Sequence, residues 1–362
     1  MTVTMIKPVS DQPSDPSPAT PSRLRTALPG IVRWTAAPVA ALALFAILLV
    51  IQGTNPADAF SDMISSTFGR QQSIEQIFIR MTPLVLAALA VAVPARAGMT
   101  NVGGEGQIIV GAVAACGTYL ALGDSMSGAI VMVTMIIASV IAGAAWAGIA
   151  GLMRLVTGVN EAISTLLLNF VALDLLLFLI YQPWRANPVG QPATRELSDA
   201  AKLPVISGTK VHVGIILAVV LVVVVHVVLR KTRWGFRIGV AGGNAEAARR
   251  AGFRVGALLL SALLIGGALA GLAGFVQFAG VEYKLRPSFG HQLGYTAFLA
   301  CWLARHQPFP ILVAAFVFAA LGVAGDSLQI DSGVPSAAIY ILTALILMAV
   351  LGFTTAKKKA RI

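Results

Sequence analysis

The chain has 362 residues, 57% of them hydrophobic and 11% charged, with a mean hydropathy of +0.84. Soluble domains carry about 25% charged residues, so the composition excludes disorder, a coiled coil, a collagen-like repeat and an ordinary cytosolic enzyme. It points to an all-α polytopic membrane protein, and since each span takes about 20 apolar residues, little chain is left for a soluble domain. The 26 Lys and Arg exceed the 15 Asp and Glu by 11. In a membrane chain such an excess holds loops on the cytoplasmic side and gives no reason to expect nucleic acid.

Residues 1–30 are polar and rich in Pro, Ser and Thr, and read as a disordered cytoplasmic tail. They lack the basic start, apolar core and cleavage site of a signal peptide. Ten apolar runs follow, at about 32–52, 80–98, 104–123, 127–153, 159–181, 211–230, 254–279, 292–304, 308–328 and 334–353. The run 292–304 is short, and 80–98 contains Pro83 and Pro94. Both are tolerated at membrane depth where protein surrounds the backbone. A transmembrane domain over 31–355 is expected, with a basic cytoplasmic tail at 356–362. Ten spans with both ends inside put 18 cations in the cytoplasm and 8 outside, and the reverse orientation inverts this. The proline-rich loop at about 182–210 is then outside, and the basic loop at about 230–254 inside. Cys116 and Cys301 lie in apolar runs and suggest no disulfide framework, and no metal site or cofactor is expected. No Gly-Lys-Ser/Thr phosphate loop occurs, so the chain is not itself an ATPase on any recognised pattern. No paired catalytic constellation supports an intramembrane enzyme.

Four polar stretches interrupt the apolar pattern. In Gly98-Met99-Thr100-Asn101-Val102-Gly103-Gly104-Glu105-Gly106-Gln107, Asn101, Glu105 and Gln107 stand beside an apolar run. They read either as a helix cap with packing or as a gate or lining of a solute path. In Gly158-Val159-Asn160-Glu161-Ala162-Ile163-Ser164-Thr165-Leu166-Leu167-Leu168-Asn169, Asn160 and Glu161 open a span and Asn169 lies about 13 Å deeper. Asp174 is deeper still, a functional candidate or helix glue. In the inner loop, Asn244 is a good N-cap, Glu246 suits the first turn, Arg249 and Arg250 suit the last, and Gly252 can take the left-handed stop. This spells a helix of about seven residues with a small face of Ala247, Ala248 and Ala251. It is either a docking knob or an amphipathic helix facing headgroups. Gln277, Glu282, Tyr283, His291, Gln292 and Tyr295 cluster near the outer face, as the mouth of a path or an interfacial belt, and His212 and His226 flank one span as boundary residues.

Three of these stretches resemble the signatures of ABC-importer permeases of the simple-sugar and nucleoside class, within the ribose and branched-chain amino acid permease superfamily. Gly243, Asn244, Ala247, Ala248, Arg249, Ala251 and Gly252 match Gly-x-Asn-Pro-x-Ala-Ala-Arg-x-Ala-Gly-Ile, with Ala245 for the Pro and Phe253 for the Ile. Thr232-Arg233-Trp234-Gly235 resembles the lead-in to that motif. Asn101, Gly103, Glu105, Gly106 and Gln107 match Phe-Asn-Ile-Gly-x-Glu-Gly-Gln, with Thr100 for the Phe, and residues 158–169 match Gly-x-Asn-Glu-x-Ile-x-Thr-x-x-Leu-Asn. The resemblance covers about 80–350. It implies a transport subunit of the bacterial inner membrane that is not an enzyme, with a core of two inverted-topology halves. It implies ATP-binding subunits, a second and possibly non-identical permease, an extracytoplasmic binding protein and surrounding lipid as partners. The solute is a nucleoside or simple sugar, and the Asn-Glu-x-Ile-x-Thr segment favours nucleosides. Residues 243, 244, 247–249, 251 and 252 would couple to the ATPase, with Ala247, Ala248 and Ala251 facing it. Asn101, Glu105, Gln107, Asn160, Glu161, Thr165 and Asn169 are the candidates for the path or gate. The alternative is a secondary transporter or channel for a small polar solute, which gives no role to the capped loop helix.

Overall fold

The computed structural model describes residues 39–335, 338, 341–345 and 348. The expected tails at 1–30 and 356–362 lie outside these residues, as do most of the run 334–353 and the start of the run 32–52.

The described chain is helical, with one isolated bridge between Val205 and His212. In order come α1 (Val39–Ile51) and α2 (Pro56–Phe68), then α3 (Gln71–Arg96), α4 (Gly104–Leu122), α5 (Gly128–Thr157) and α6 (Glu161–Tyr181). After the long loop come α7 (Gly214–Lys231), α8 (Arg233–Gly243), α9 (Ala245–Arg250), α10 (Val255–Gln277), α11 (Leu293–Leu303) and α12 (Pro308–Ser332). A π-turn over Phe278–Glu282 ends α10.

Among the described residues, seven helices are long and apolar enough to cross a membrane, or eight if the α1–α2 pair, bent by 113°, counts as one. This does not reach the expected ten, for three reasons. The last run is mostly undescribed. α1, described over Val39–Ile51 only, is too short to count alone. α11 has 11 residues and spans about 16 Å, too little for a bilayer core of about 30 Å. α2 was not anticipated: Asn55 caps it, Pro56 starts it, and its buried Ala59, Met63, Ser66 and Thr67 form one stripe. The run expected at 80–98 is the end of a 26-residue helix whose first turns, with Gln71, Gln72, Glu75 and Gln76, are too polar for a hydropathy window.

α3 is the buried axis, and α10 crosses it. Gly266, in the middle of α10, lies against Ala90 and Pro94 near the end of α3. α10 also packs on α4 and α5, while α3 packs on α11 and α12. α4 and α11 begin side by side, at Gly104 and Gly294. One face gathers Arg96, Arg154, the seven cations of 230–254 and Gln307, whose Oε1 lies 3.4 Å from Arg230. It is called the basic face below. The opposite face gathers the loop 182–213 and the segment after α10, joined by backbone bonds from Leu197 to Tyr283 and from Leu203 to Ala279, both 2.9 Å. There Arg195 clamps Asp124 through both carboxylate oxygens, at 2.8 and 3.1 Å, and holds that carboxyl below the usual carboxylate range.

Helix contact in the core is backbone to backbone. A Cβ on Gly271 would lie 2.1 Å from the Ser139 carbonyl oxygen and 3.1 Å from Gly143 Cα. Small residues permit this approach where no hydrophobic gain separates protein from lipid. Gly271→Val should therefore force α10 away from α5 and lower the stability of the extracted protein by about 1–3 kcal/mol or more. Ile265→Ala, on the exposed side of the same helix, should change it little. Equal melting temperatures for Gly271→Val and the parent would contradict this packing.

Candidate functional site: an unwound link and a docked loop

Pro94 gives α3 no N–H, so the Ala90 carbonyl loses its helical donor. The chain leaves the helix at Arg96, turns at Gly98 with φ +75°, and stays unwound until α4 begins at Gly104. Backbone at this depth must find partners inside the protein. Asn101 supplies several. Its Nδ2 is 3.5 Å from the Ala90 oxygen, its Oδ1 accepts from Gly103 N, and its amide pairs reciprocally with that of Gln107, both bonds 3.0 Å. Neither Thr100 nor Asn101 caps α4; the N-cap is Gly103.

α6 supplies the rest. Asn160 caps it through Ala162 N at 2.8 Å. Glu161, Thr165 and Asn169 recur every four residues and share one face. Each accepts one N–H of the broken segment: Glu161 from Thr100 at 3.1 Å, Thr165 from Val102 at 3.2 Å, and Asn169 from Gly106 at 2.8 Å. Arg154 pairs with the other oxygen of Glu161. Asn169 also donates to Val102 O at 3.0 Å and to Tyr295 Oη at 3.3 Å. The sequence carries this period-four signal in Glu161, Thr165 and Asn169; what it hides is the partner strand 60 or more positions away.

The third wall is α11. Its first turn has no side-chain cap of its own. Glu105 provides one from α4, accepting from Gln292 N at 2.8 Å and Gly294 N at 2.6 Å. Of the seven residues expected to line a path, Asn101, Gln107, Glu161, Thr165 and Asn169 hold the break with their polar atoms, while Glu105 caps α11 and Asn160 caps α6. Asn169 is 3% exposed, and its amide bonds Gly106 N, Val102 O and Tyr295 Oη. The outer cluster divides. Gln277, Glu282 and His291 line a cavity of about 340 Å³ with Arg80, which pairs with Asp326. Gln292 and Tyr295 belong to the break instead. Asp174 is exposed on α6. His212, two residues before α7, is 1% exposed, neither ring nitrogen has a partner, and burial pushes its pKa down to about 4, so the ring is neutral.

On the basic face, Thr232 caps α8 through Gly235 N at 3.0 Å, and the Trp234 indole donates to Ser261 at 3.0 Å. Asn244 caps α9 through Ala247 N at 3.0 Å, and Gly252 takes the left-handed stop at φ +79°. One expectation is corrected. Ala248 is fully buried, packed on Ala241 and Val255 of its own chain, so it seats the helix and does not face outward. Ala247 and Ala251 remain exposed, with Gly243, Asn244, Arg249 and Gly252 beside them. The loop also touches the break: Gly242 lies so close that a Cβ there would be 2.5 Å from Arg96 O and 2.7 Å from Gly98 N.

The family described as "Branched-chain amino acid transport system / permease component" matches residues 73–351, from the start of α3 past α12. The chain belongs to this permease family. Among curated relatives, the glucose ABC transporter permease protein TsgB13 of Haloferax volcanii is 37% identical over 86% of this chain and 84% of its own. The guanosine ABC transporter permease protein NupP of Bacillus subtilis is 28% identical over 85% and 89% of the two chains. The nucleoside ABC transporter permease protein NupB of Lactococcus lactis is 27% identical over 83% and 85%. The permease is an integral, multi-pass membrane protein and a transport subunit rather than an enzyme.

Asn169→Leu in the permease should strand Gly106 N–H and Val102 C=O, at about 1–3 kcal/mol for each buried unsatisfied group. Thermal stability and uptake should fall together. Asn169→Asp, which keeps the acceptor and loses the donor, should fall between. Reduced uptake at parental stability would instead make Asn169 a solute contact.

Proposed function

We propose that the permease is the membrane-spanning subunit of an ATP-driven ABC importer for a nucleoside or simple sugar. It takes solute from an extracytoplasmic binding protein and works with a second permease subunit and two separate ATP-binding subunits, which hydrolyse the ATP. The observation that carries this reading is α9: capped at both ends, seated by Ala248, and presenting Ala247, Ala251 and Arg249. Behind it, Gly242 bears on Gly98, so a push on α9 reaches the break between α3 and α4 within one residue contact. The break, latched by α6 and by α11, is the gating element in this reading. Asn101, Glu105, Gln107, Asn160, Glu161, Thr165 and Asn169 set its position. The relatives' printed solutes support a sugar or nucleoside, and direct uptake competition between glucose and guanosine decides between them. The basic face is cytoplasmic, because its loops carry most of the cations.

Two experiments test this. Ala251→Glu should place an unpaired charge in the ATPase contact at about 3 kcal/mol, on the order of 100-fold in affinity, while the exposed position leaves the membrane fold intact. Ala248→Glu should disturb the loop itself, because it buries the charge against Ala241 and Val255. Normal co-purification of the ATPase with Ala251→Glu would remove the coupling assignment. For sidedness, Ser198→Cys and Ala247→Cys, in a background lacking Cys116 and Cys301, should label from opposite sides of the membrane. Labelling of both from outside would invert or refute the topology.

A further inference from the structure

The junction of α7 and α8 carries a cavity of about 490 Å³ whose lining is dominated by cations: Arg230, Lys231, Arg233 and Arg237, with Phe236 and Phe253. None of the four cations makes an ion pair among the described residues. The one acid of the loop, Glu246, is engaged by Arg249 and Arg250 on α9. Four like charges around one cavity repel one another unless an anion sits among them. Two features fix the depth of this cavity. Arg230 and Lys231 form the last turn of α7, a membrane-spanning helix, and therefore sit at the headgroup level. Phe236 projects its ring outward at 66% exposure from the first turns of α8, and an exposed aromatic ring at that level meets lipid. The cradle is also ordered. Thr232 caps α8, Trp234 is tied to Ser261, and the Arg237 guanidinium lies 5.7 Å over the Phe253 ring.

We infer that this cavity binds the phosphate of an anionic phospholipid, with the acyl chains beside Phe236. A protein partner would have to bring its own carboxylates and also cover Phe236, whereas one lipid satisfies charge and ring together. Basic clusters next to a spanning helix attract anionic headgroups by roughly fivefold per cation near the surface.

The test uses the full chain in neutral detergent, titrated with dioleoyl phosphatidylglycerol, dioleoyl phosphatidylcholine or sodium phosphate, with bound lipid counted by native mass spectrometry. Phosphatidylglycerol should bind at least about tenfold more tightly than phosphatidylcholine. Arg233→Gln with Arg237→Gln should abolish that preference, and Arg249→Gln with Arg250→Gln should not. Sodium phosphate should displace the lipid poorly. Displacement by phosphate at equal concentration would make this a free-anion site and overturn the lipid assignment. A preference that survives the Arg233 and Arg237 changes would overturn the site. If those changes also cost the ATPase its co-purification while the lipid preference persists, the cavity is a protein dock. A second measurement stands if the double variant fails to fold. Phe236→Trp, at an exposed position, reports from vesicles in which brominated phosphatidylglycerol should quench the added fluorescence more than brominated phosphatidylcholine at the same mole fraction. Equal quenching would overturn the proposal.

Discussion

A backbone N–H or C=O buried inside the protein has no water to turn to, and the architecture is organised around the link between α3 and α4, where a largely buried stretch of chain leaves the helix. Between Arg96 and Gly104 the chain is unwound, and the first turn of any helix leaves its N–H groups unpaired besides. The groups at risk are met one by one: Thr100, Val102 and Gly106 by the side chains of Glu161, Thr165 and Asn169, and Gly103 by Asn101. Even the carbonyl freed by Pro94 has an amide aimed at it. Each of these bonds spares the chain about 1–3 kcal/mol that an unmatched buried group would cost.

The satisfied break joins parts that would otherwise be independent. α6 is fixed along the broken segment by three bonds, and α11 by the two that Glu105 accepts. On the basic face the same segment meets Gly242, and through α8 the short helix α9. One stretch of about eleven residues, 96–106, therefore touches α6, α11 and the loop proposed to meet the ATPase. Its glycines permit this. A side chain on Gly98, Gly106 or Gly294 would collide with backbone at 3.0 Å or less.

What could be read in advance follows the range of the interaction. The caps at Asn160 and Asn244 and the stop at Gly252 are local, set by residues within three positions, and they were legible. The direction of Ala248 was not, because Ala247, Ala248 and Ala251 are alike in size and only Ala241 and Val255, elsewhere in the chain, decide which one is buried. The partner of Glu105 lies 187 positions on, so a cap for its own helix was the natural reading and the cap of another helix is the fact. Hydropathy finds apolar runs but not depth, which is why α11 passed for a span and the polar start of α3 was missed.

Glu105 shows why α4 and α11 hold together where both begin. α4 and α11 both start there, so the positive ends of two helix dipoles face each other across the Gly104–Gly294 contact. Alone, they would repel and leave N–H groups unmet. A carboxylate between them reverses the sign of the interaction, and two charge-assisted bonds of 2.8 and 2.6 Å make it directional. Separating α4 from α11 at this point would strand a carboxyl group and a bare helix start in a low-dielectric interior, a far larger penalty than sliding apolar helix faces past one another.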